Sequence, residues 1–205
     1  MSAALKDDPK LLAIALAGTA FLGVIAFVLS VVTATPLAPQ FHWSLIDSLI
    51  GVAGAAPLCL FLWWFMKTER PVFVRFREDQ IDFFSQIGFR FTPARIVLMA
   101  LFAGIFEELL FRGTLQSALV KISPLFVALL FSNLIFGAVH WRTSLYALIA
   151  GAIGVWIGVL FALTRNLITP ILTHAFYDLV ALFVTARAIE ARRADKMSSF
   201  SHTDS

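Results

Sequence analysis

Six ionisable residues stand where this chain is otherwise most apolar. Glu107 and Glu108 are adjacent and Arg112 follows four residues after Glu108, in the stretch Ala100-Leu-Phe-Ala-Gly-Ile-Phe-Glu-Glu-Leu-Leu-Phe-Arg-Gly-Thr-Leu-Gln116. His140 closes the run Phe136-Gly-Ala-Val-His140, and His174 and Asp178 bracket His174-Ala-Phe-Tyr-Asp178. On a helix, Glu108 and Arg112 share a face and can form an ion pair. Glu107, about 100° further round the helix, has no such partner. A carboxylate left unpaired among apolar residues suits proton transfer. His140 is a second group able to carry a proton. His174 and Asp178 lie one turn apart, so the acid can orient the imidazole. Taken singly, each group also has a packing explanation: a buried network, an interface histidine, a hydrogen-bonded pair. Together, two Glu, one Arg, two His and one Asp in three apolar segments point to a functional site.

The elements that must position these groups are membrane helices. Of 205 residues, 60% are hydrophobic and 14% charged, against roughly 45–50% and 25% for a soluble domain. The mean hydropathy is +0.86. A water-soluble globule, a disordered chain, collagen and a coiled coil are excluded. Cys59 is the single cysteine, which excludes an intrachain disulfide scaffold. Six blocks are long enough to cross roughly 30 Å of hydrocarbon: about 11–33, 45–66, 93–121, 124–140, 144–164 and 167–188. The first is too long for a signal-peptide core, and Asp7 and Asp8 speak against a transit peptide. The reading is an all-α polytopic bundle of about six transmembrane helices plus one interfacial helix. It forms a single integral membrane domain over 1–205, with a motif-bearing core at about 93–185. Glu107 falls at the middle of the third block, where a charge costs about 2.5–3.5 kcal/mol on insertion scales.

Charge sets an expected orientation. The net charge is +3 and the isoelectric point 9.4, but the basic residues lie between apolar blocks, which excludes a nucleic-acid surface and points to a membrane surface. With the N-terminus in the cytoplasm, thirteen Lys and Arg fall inside and only Lys121 and Arg165 outside, the sixteenth being Arg112 within a span. Ile81, Phe84, Ile87 and Phe91 at helical spacing predict an interfacial helix over 78–91. The tail from Glu190 reads as loose. Gly154 and Gly158 form a GxxxG that suits close packing. Pro170 either kinks its helix or is the first helical residue after Thr169 as N-cap. The metalloprotease, serine-hydrolase, P-loop and zinc-ribbon motifs of soluble enzymes do not occur.

Glu107-Glu108-Leu-Leu-Phe-Arg112, Phe136-Gly-Ala-Val-His140 and His174-Ala-Phe-Tyr-Asp178, in that order and each inside an expected span, resemble the Glu-Glu-x-x-x-Arg, Phe-x-x-x-His and His-x-x-x-Asn/Asp motifs of the CAAX protease and bacteriocin-processing (CPBP) family of intramembrane proteases. The similarity covers roughly 93–185. The prenyl-protease branch usually carries Asn at the last position; Asp178 resembles many bacterial members. The resemblance implies an intramembrane endopeptidase acting on a membrane-associated protein or peptide. It implies that Glu107 and His140 activate the water, that His174 and Asp178 line the oxyanion side, and that Glu108 with Arg112 is a structural ion pair. It also leaves open a Zn²⁺ ion held by Glu107, His140 and His174. Two other classes compete: a non-enzymatic immunity or scaffold protein of the same fold, and a proton-coupled transporter, against which the lack of evident inverted repeats argues mildly. The expected setting is a bacterial plasma membrane, with the lipid bilayer around the bundle and both termini cytoplasmic.

Overall fold

A computed structural model describes residues 7–203, without the side chains of 196, 197 and 199–203. Lys6, one of the cations counted above, lies outside the described residues, as do the chain ends themselves. The regular elements among the described residues are all helical: α1 Pro9–Val32, a single 3₁₀ turn Ala38–Gln40, α2 Leu45–Lys67, α3 Pro71–Ser85, α4 Pro93–Glu108, a π-helical segment Leu109–Gln116, α5 Ser117–Ile122, α6 Leu125–Val139, α7 Ser144–Thr164 and α8 Ile168–Thr203. Local sequence sets the starts. Asp8, Ser44, Thr92 and Thr143 cap α1, α2, α4 and α7, each accepting a hydrogen bond from a backbone N–H of the first turn. Pro9, Pro71 and Pro93 occupy first-turn positions whose N–H has no helical partner.

Among the described residues, four helices are long and apolar enough to cross a membrane: Pro9–Val32, Leu45–Lys67, Ser144–Thr164 and the Ile168–Asp195 part of α8. The expected third block is a continuous helical run that changes register, from α4 through the π segment into α5. The expected fourth block is the shorter helix α6, whose 15 residues span only about 22 Å. The chain is an all-helical membrane bundle. α8 packs against both α2 and α4, α6 pairs with α7, and α1 lies along α4 and the π segment.

Three expectations are corrected. The interfacial helix is Pro71–Ser85, not 78–91. Pro71 starts it, and it stops before Gly88, whose φ of +86° breaks the helix. Ile87 and Phe91 therefore lie in the loop leading to α4. The tail is not loose, because α8 continues to Thr203. Arg192 ties it to α3, 2.9 Å from Asp82 and 3.2 Å from Glu78. Thr169 is not an N-cap. α8 begins at Ile168, whose N–H donates to Asn166 Oδ1, so Pro170 sits in the first turn and needs no kink.

The two ends of the bundle differ in chemistry. At one end Asp7 accepts from the Arg95 side chain and the Arg90 N–H, and these bonds hold its carboxyl below the usual carboxylate range. Arg77 caps α2 by donating to the Phe65, Met66 and Thr68 carbonyls. Arg142 stacks 3.8 Å above the Phe83 ring. At the other end Asn166 bridges the His42 carbonyl and Asp47, and Lys121 caps α1 at Thr33 and Ala34.

Candidate active site

The third helical run is shaped by its own hydroxyls. Thr114 Oγ donates to Leu109 O at 3.1 Å and Ser117 Oγ to Arg112 O at 2.8 Å, both five residues back. These contacts support i→i+5 geometry over residues 109–116. Glu107 and Glu108 stand at the last turn of α4, just before the register changes. Gly104, one turn earlier, lets α8 approach, since a Cβ there would meet Ala175 at 2.9 Å. His174 is thereby brought onto the two glutamates.

Glu108 is fully buried. Its Oε1 accepts from Arg112 Nη1 at 2.9 Å and from His174 Nδ1 at 2.6 Å. The expected i,i+4 pair is present, and Glu108 also holds the imidazole. Asp178, expected to orient His174, lies further off, with Oδ2 3.5 Å from Nε2. Arg112, 1% exposed, also donates through Nη2 to Asn133 Oδ1 at 3.1 Å and to Gly154 O at 2.6 Å. It lies 5.0 Å from the Phe136 ring centre. The GxxxG thus does more than pack. A Cβ at Gly154 would sit 2.3 Å from Asn133 Oδ1, and Gly158 O accepts from Gln116 Nε2 at 3.0 Å.

Glu107 is placed differently. Its Oε2 is buried and has no hydrogen-bond partner among the described residues. It lies 3.7 Å from His140 Nε2 and 4.0 Å from His174 Nε2. His140 follows the last residue of α6, and its Nδ1 lies 2.8 Å from Phe136 O. A carbonyl accepts only, so Nδ1 carries a proton, and in the neutral imidazole Nε2 presents a lone pair. At about 22 Å, the 15-residue α6 is shorter than the roughly 30 Å hydrocarbon layer, and the histidine that follows it stands beside Glu107 of α4.

Glu107, His140, His174 and Asp178 share the wall of a cavity of about 230 Å³. Phe61, Phe65, Phe136 and Ile153 make much of it apolar, and Arg77, Gln80, Ile81 and Phe84 of α3 form its end towards the basic side of the bundle. All six expected residues therefore converge. Sequence reasoning did not select Asn133, Gln116, Tyr146 or Tyr177. Asn133 and Gln116 were visible as amides inside apolar runs, in the same sense as the charged groups. The two tyrosines line the cavity but carried no distinguishing signal.

The zinc set can be tested against these positions. Tetrahedral ligand atoms about 2.0–2.1 Å from a zinc ion lie roughly 3.3 Å from one another. The Glu107-to-histidine separations of 3.7 and 4.0 Å are wider, and among the described residues no group of three His, Cys, Asp or Glu side chains is placed to hold a metal ion. As placed, Glu107 stands further from both histidines than two ligands of one zinc ion stand from each other.

The model for Rce1-like type II CAAX prenyl endopeptidases matches residues 89–180. Those residues belong to the CAAX-protease (CPBP) family. The matched stretch, a little under half of the chain, runs from the loop before α4 into the middle of α8 and contains all six site residues. At family level the matched stretch is that of a CAAX-type intramembrane protease, and the chain is an integral membrane protein. No curated protein and no solved structure matches the chain.

Proposed function

We propose that the chain is an intramembrane endopeptidase that hydrolyses a peptide bond of a membrane-associated protein or peptide, with Glu107 as the general base. The observation that carries this reading is the facing pair of acceptors at the cavity wall, Glu107 Oε2 and His140 Nε2, 3.7 Å apart. Two acceptors have no hydrogen bond to offer each other, and the gap exceeds direct bonding distance. A water molecule has two hydrogens and satisfies both at once. That water is held with its oxygen lone pairs free for a carbonyl carbon.

As the water attacks, Glu107 takes its proton and the carbonyl π electrons move to oxygen. The proton then passes to the amide nitrogen, the oxyanion pair returns to form the carbonyl and the C–N bond breaks, leaving a carboxylic acid and an amine, which become carboxylate and ammonium by proton exchange. In its doubly protonated form His174 offers Nε2–H to the oxyanion side, while Glu108 fixes its Nδ1. Asp178, near the same Nε2, positions the imidazole from the cavity side. Arg112 holds Glu108 in place.

The apolar wall suits a substrate segment that is itself embedded in lipid. The cationic end beside α3 fits a cytoplasmic mouth, with both termini on that side of a bacterial plasma membrane. The test is Glu107→Gln in purified protein, assayed on a membrane-anchored peptide library. The substitution keeps shape and removes the base, so the variant should keep the wild-type melting temperature and lose about 10²–10⁴-fold in turnover. A well-folded Glu107→Gln protein cleaving at the wild-type rate removes this mechanism. One that fails to cleave yet performs its cellular role points to the scaffold reading.

A further inference from the structure

The hydrolysis proposed above places His174 Nε2–H on the oxyanion side, and a second donor completes an oxyanion hole that a carboxylate, which only accepts when ionised, does not supply. A neutral donor stands on the same cavity wall. We propose that the phenol hydroxyl of Tyr146 hydrogen-bonds the oxyanion and is a catalytic residue of this site. The inference rests on the endopeptidase reading and adds to it a residue outside the three motifs.

Tyr146 lies in the first turn of α7, where its N–H donates to the Thr143 N-cap at 3.1 Å. Its ring is held by three neighbours. The His140 ring meets it edge-on, with centroids 6.2 Å apart and planes at 68°. The Phe76 ring of α3 lies at 6.1 Å, and the Arg142 guanidinium sits 5.3 Å from the ring centre. No hydrogen bond of the hydroxyl is present among the described residues, and the side chain lines the cavity. The ring is fixed and the O–H is uncommitted, on a wall shared with Glu107, His140, His174 and Asp178. The contact with His140 ties this donor to one of the two groups that hold the water.

A preorganised donor of this kind stabilises charge only as it forms. When the water oxygen bonds to the carbonyl carbon, the π pair moves to oxygen and the Tyr146 O–H bond to it shortens. The phenol keeps its proton. When the C–N bond breaks, the pair returns to the carbonyl and the hydrogen bond relaxes.

Tyr146→Phe deletes the hydroxyl and leaves every ring contact in place. The probe is a fluorogenic peptide chosen from the membrane-anchored library, with the full chain in lipid nanodiscs. The expected result is a fall in kcat of about 10²–10³-fold, the usual effect of losing one oxyanion donor, with KM unchanged. A phosphinate analogue of the same peptide, already tetrahedral and anionic, should lose affinity by the same factor, whereas the intact product peptide should bind as before. A purely structural role would weaken both. Glu107→Gln is run in parallel. If it is inactive while Tyr146→Phe cleaves at the wild-type rate, the Tyr146 assignment alone is overturned. If Glu107→Gln cleaves normally, both the assignment and the endopeptidase mechanism beneath it fall. Loss of kcat in Tyr177→Phe but not in Tyr146→Phe also overturns the assignment.

Discussion

Arg112→Ala should be the most destabilising single change in the motif core. The guanidinium is buried at 1% exposure and serves three acceptors: Glu108 Oε1 at 2.9 Å, Asn133 Oδ1 at 3.1 Å and Gly154 O at 2.6 Å. Truncation leaves the Glu108 carboxylate with His174 as its remaining partner, and leaves two neutral acceptors with none from this side. Breaking a buried pair costs about 3–5 kcal/mol, and each stranded neutral acceptor about 1–3 kcal/mol. These overlap, since the neighbours relax into the space, so about 3–5 kcal/mol is the expected total. For a chain of this size about 2–4 °C of melting temperature corresponds to each kcal/mol, which gives a fall of about 6–20 °C. Arg112→Lys keeps the charge for Glu108 but cannot fork to Asn133 and Gly154, and should fall between wild type and Arg112→Ala. The assay is a thermal melt in detergent followed by size-exclusion chromatography. An Arg112→Ala protein melting within 2 °C of wild type (about 1 kcal/mol or less) would refute the view that this network holds the third helical run against α6 and α7.

Gly154→Ala should also destabilise, because its Cβ would sit 2.3 Å from Asn133 Oδ1, whereas Gly18→Ala, with nothing within 4 Å, should be neutral in the same melt. Cysteine labelling from the two sides of the membrane should find Gln40→Cys reactive from outside and Asp79→Cys from the cytoplasm; a cytoplasmic residue 40 inverts the proposed orientation. Purified protein analysed for zinc alongside Glu107→Gln tests the metal alternative. The expected outcome is cleavage that survives chelation, and loss of both metal and activity in the variant would transfer the mechanism to zinc.

The apolar blocks and the six costly residues were legible because both signals come from the same physics, the penalty for polar groups in hydrocarbon. Their convergence followed in outline. What the chain alone does not carry is which partner each group chooses across helices. Glu108 reads as the mate of Arg112, and only the approach of α8 at Gly104 gives it His174 as well. The π segment escaped because hydropathy is blind to register; it is supported by two hydroxyls, Thr114 and Ser117, that look unremarkable in an apolar run. For α3 the boundary signals, Pro71 and Gly88, were in the sequence, but the spacing of Ile81, Phe84, Ile87 and Phe91 outweighed them. The helical tail depends on Arg192 meeting Glu78 and Asp82, more than a hundred residues away.

The carbonyl oxygens of Gly51, Gly54, Gly154 and Gly158 accept from Thr173, Trp156, Arg112 and Gln116 respectively. α7 is therefore polar towards its neighbours while carrying almost no polar side chain there. During synthesis such a helix partitions into lipid as an ordinary greasy segment, its carbonyls engaged only in its own ladder. The second lone pair on each is disclosed when a donor arrives. Arg112 precedes Gly154 in the chain by 42 residues, so it must wait, within or beside the membrane, for an acceptor that has not yet been made. Assembly of the catalytic wall is thus tied to the late arrival of a helix that contributes no acid or base to it.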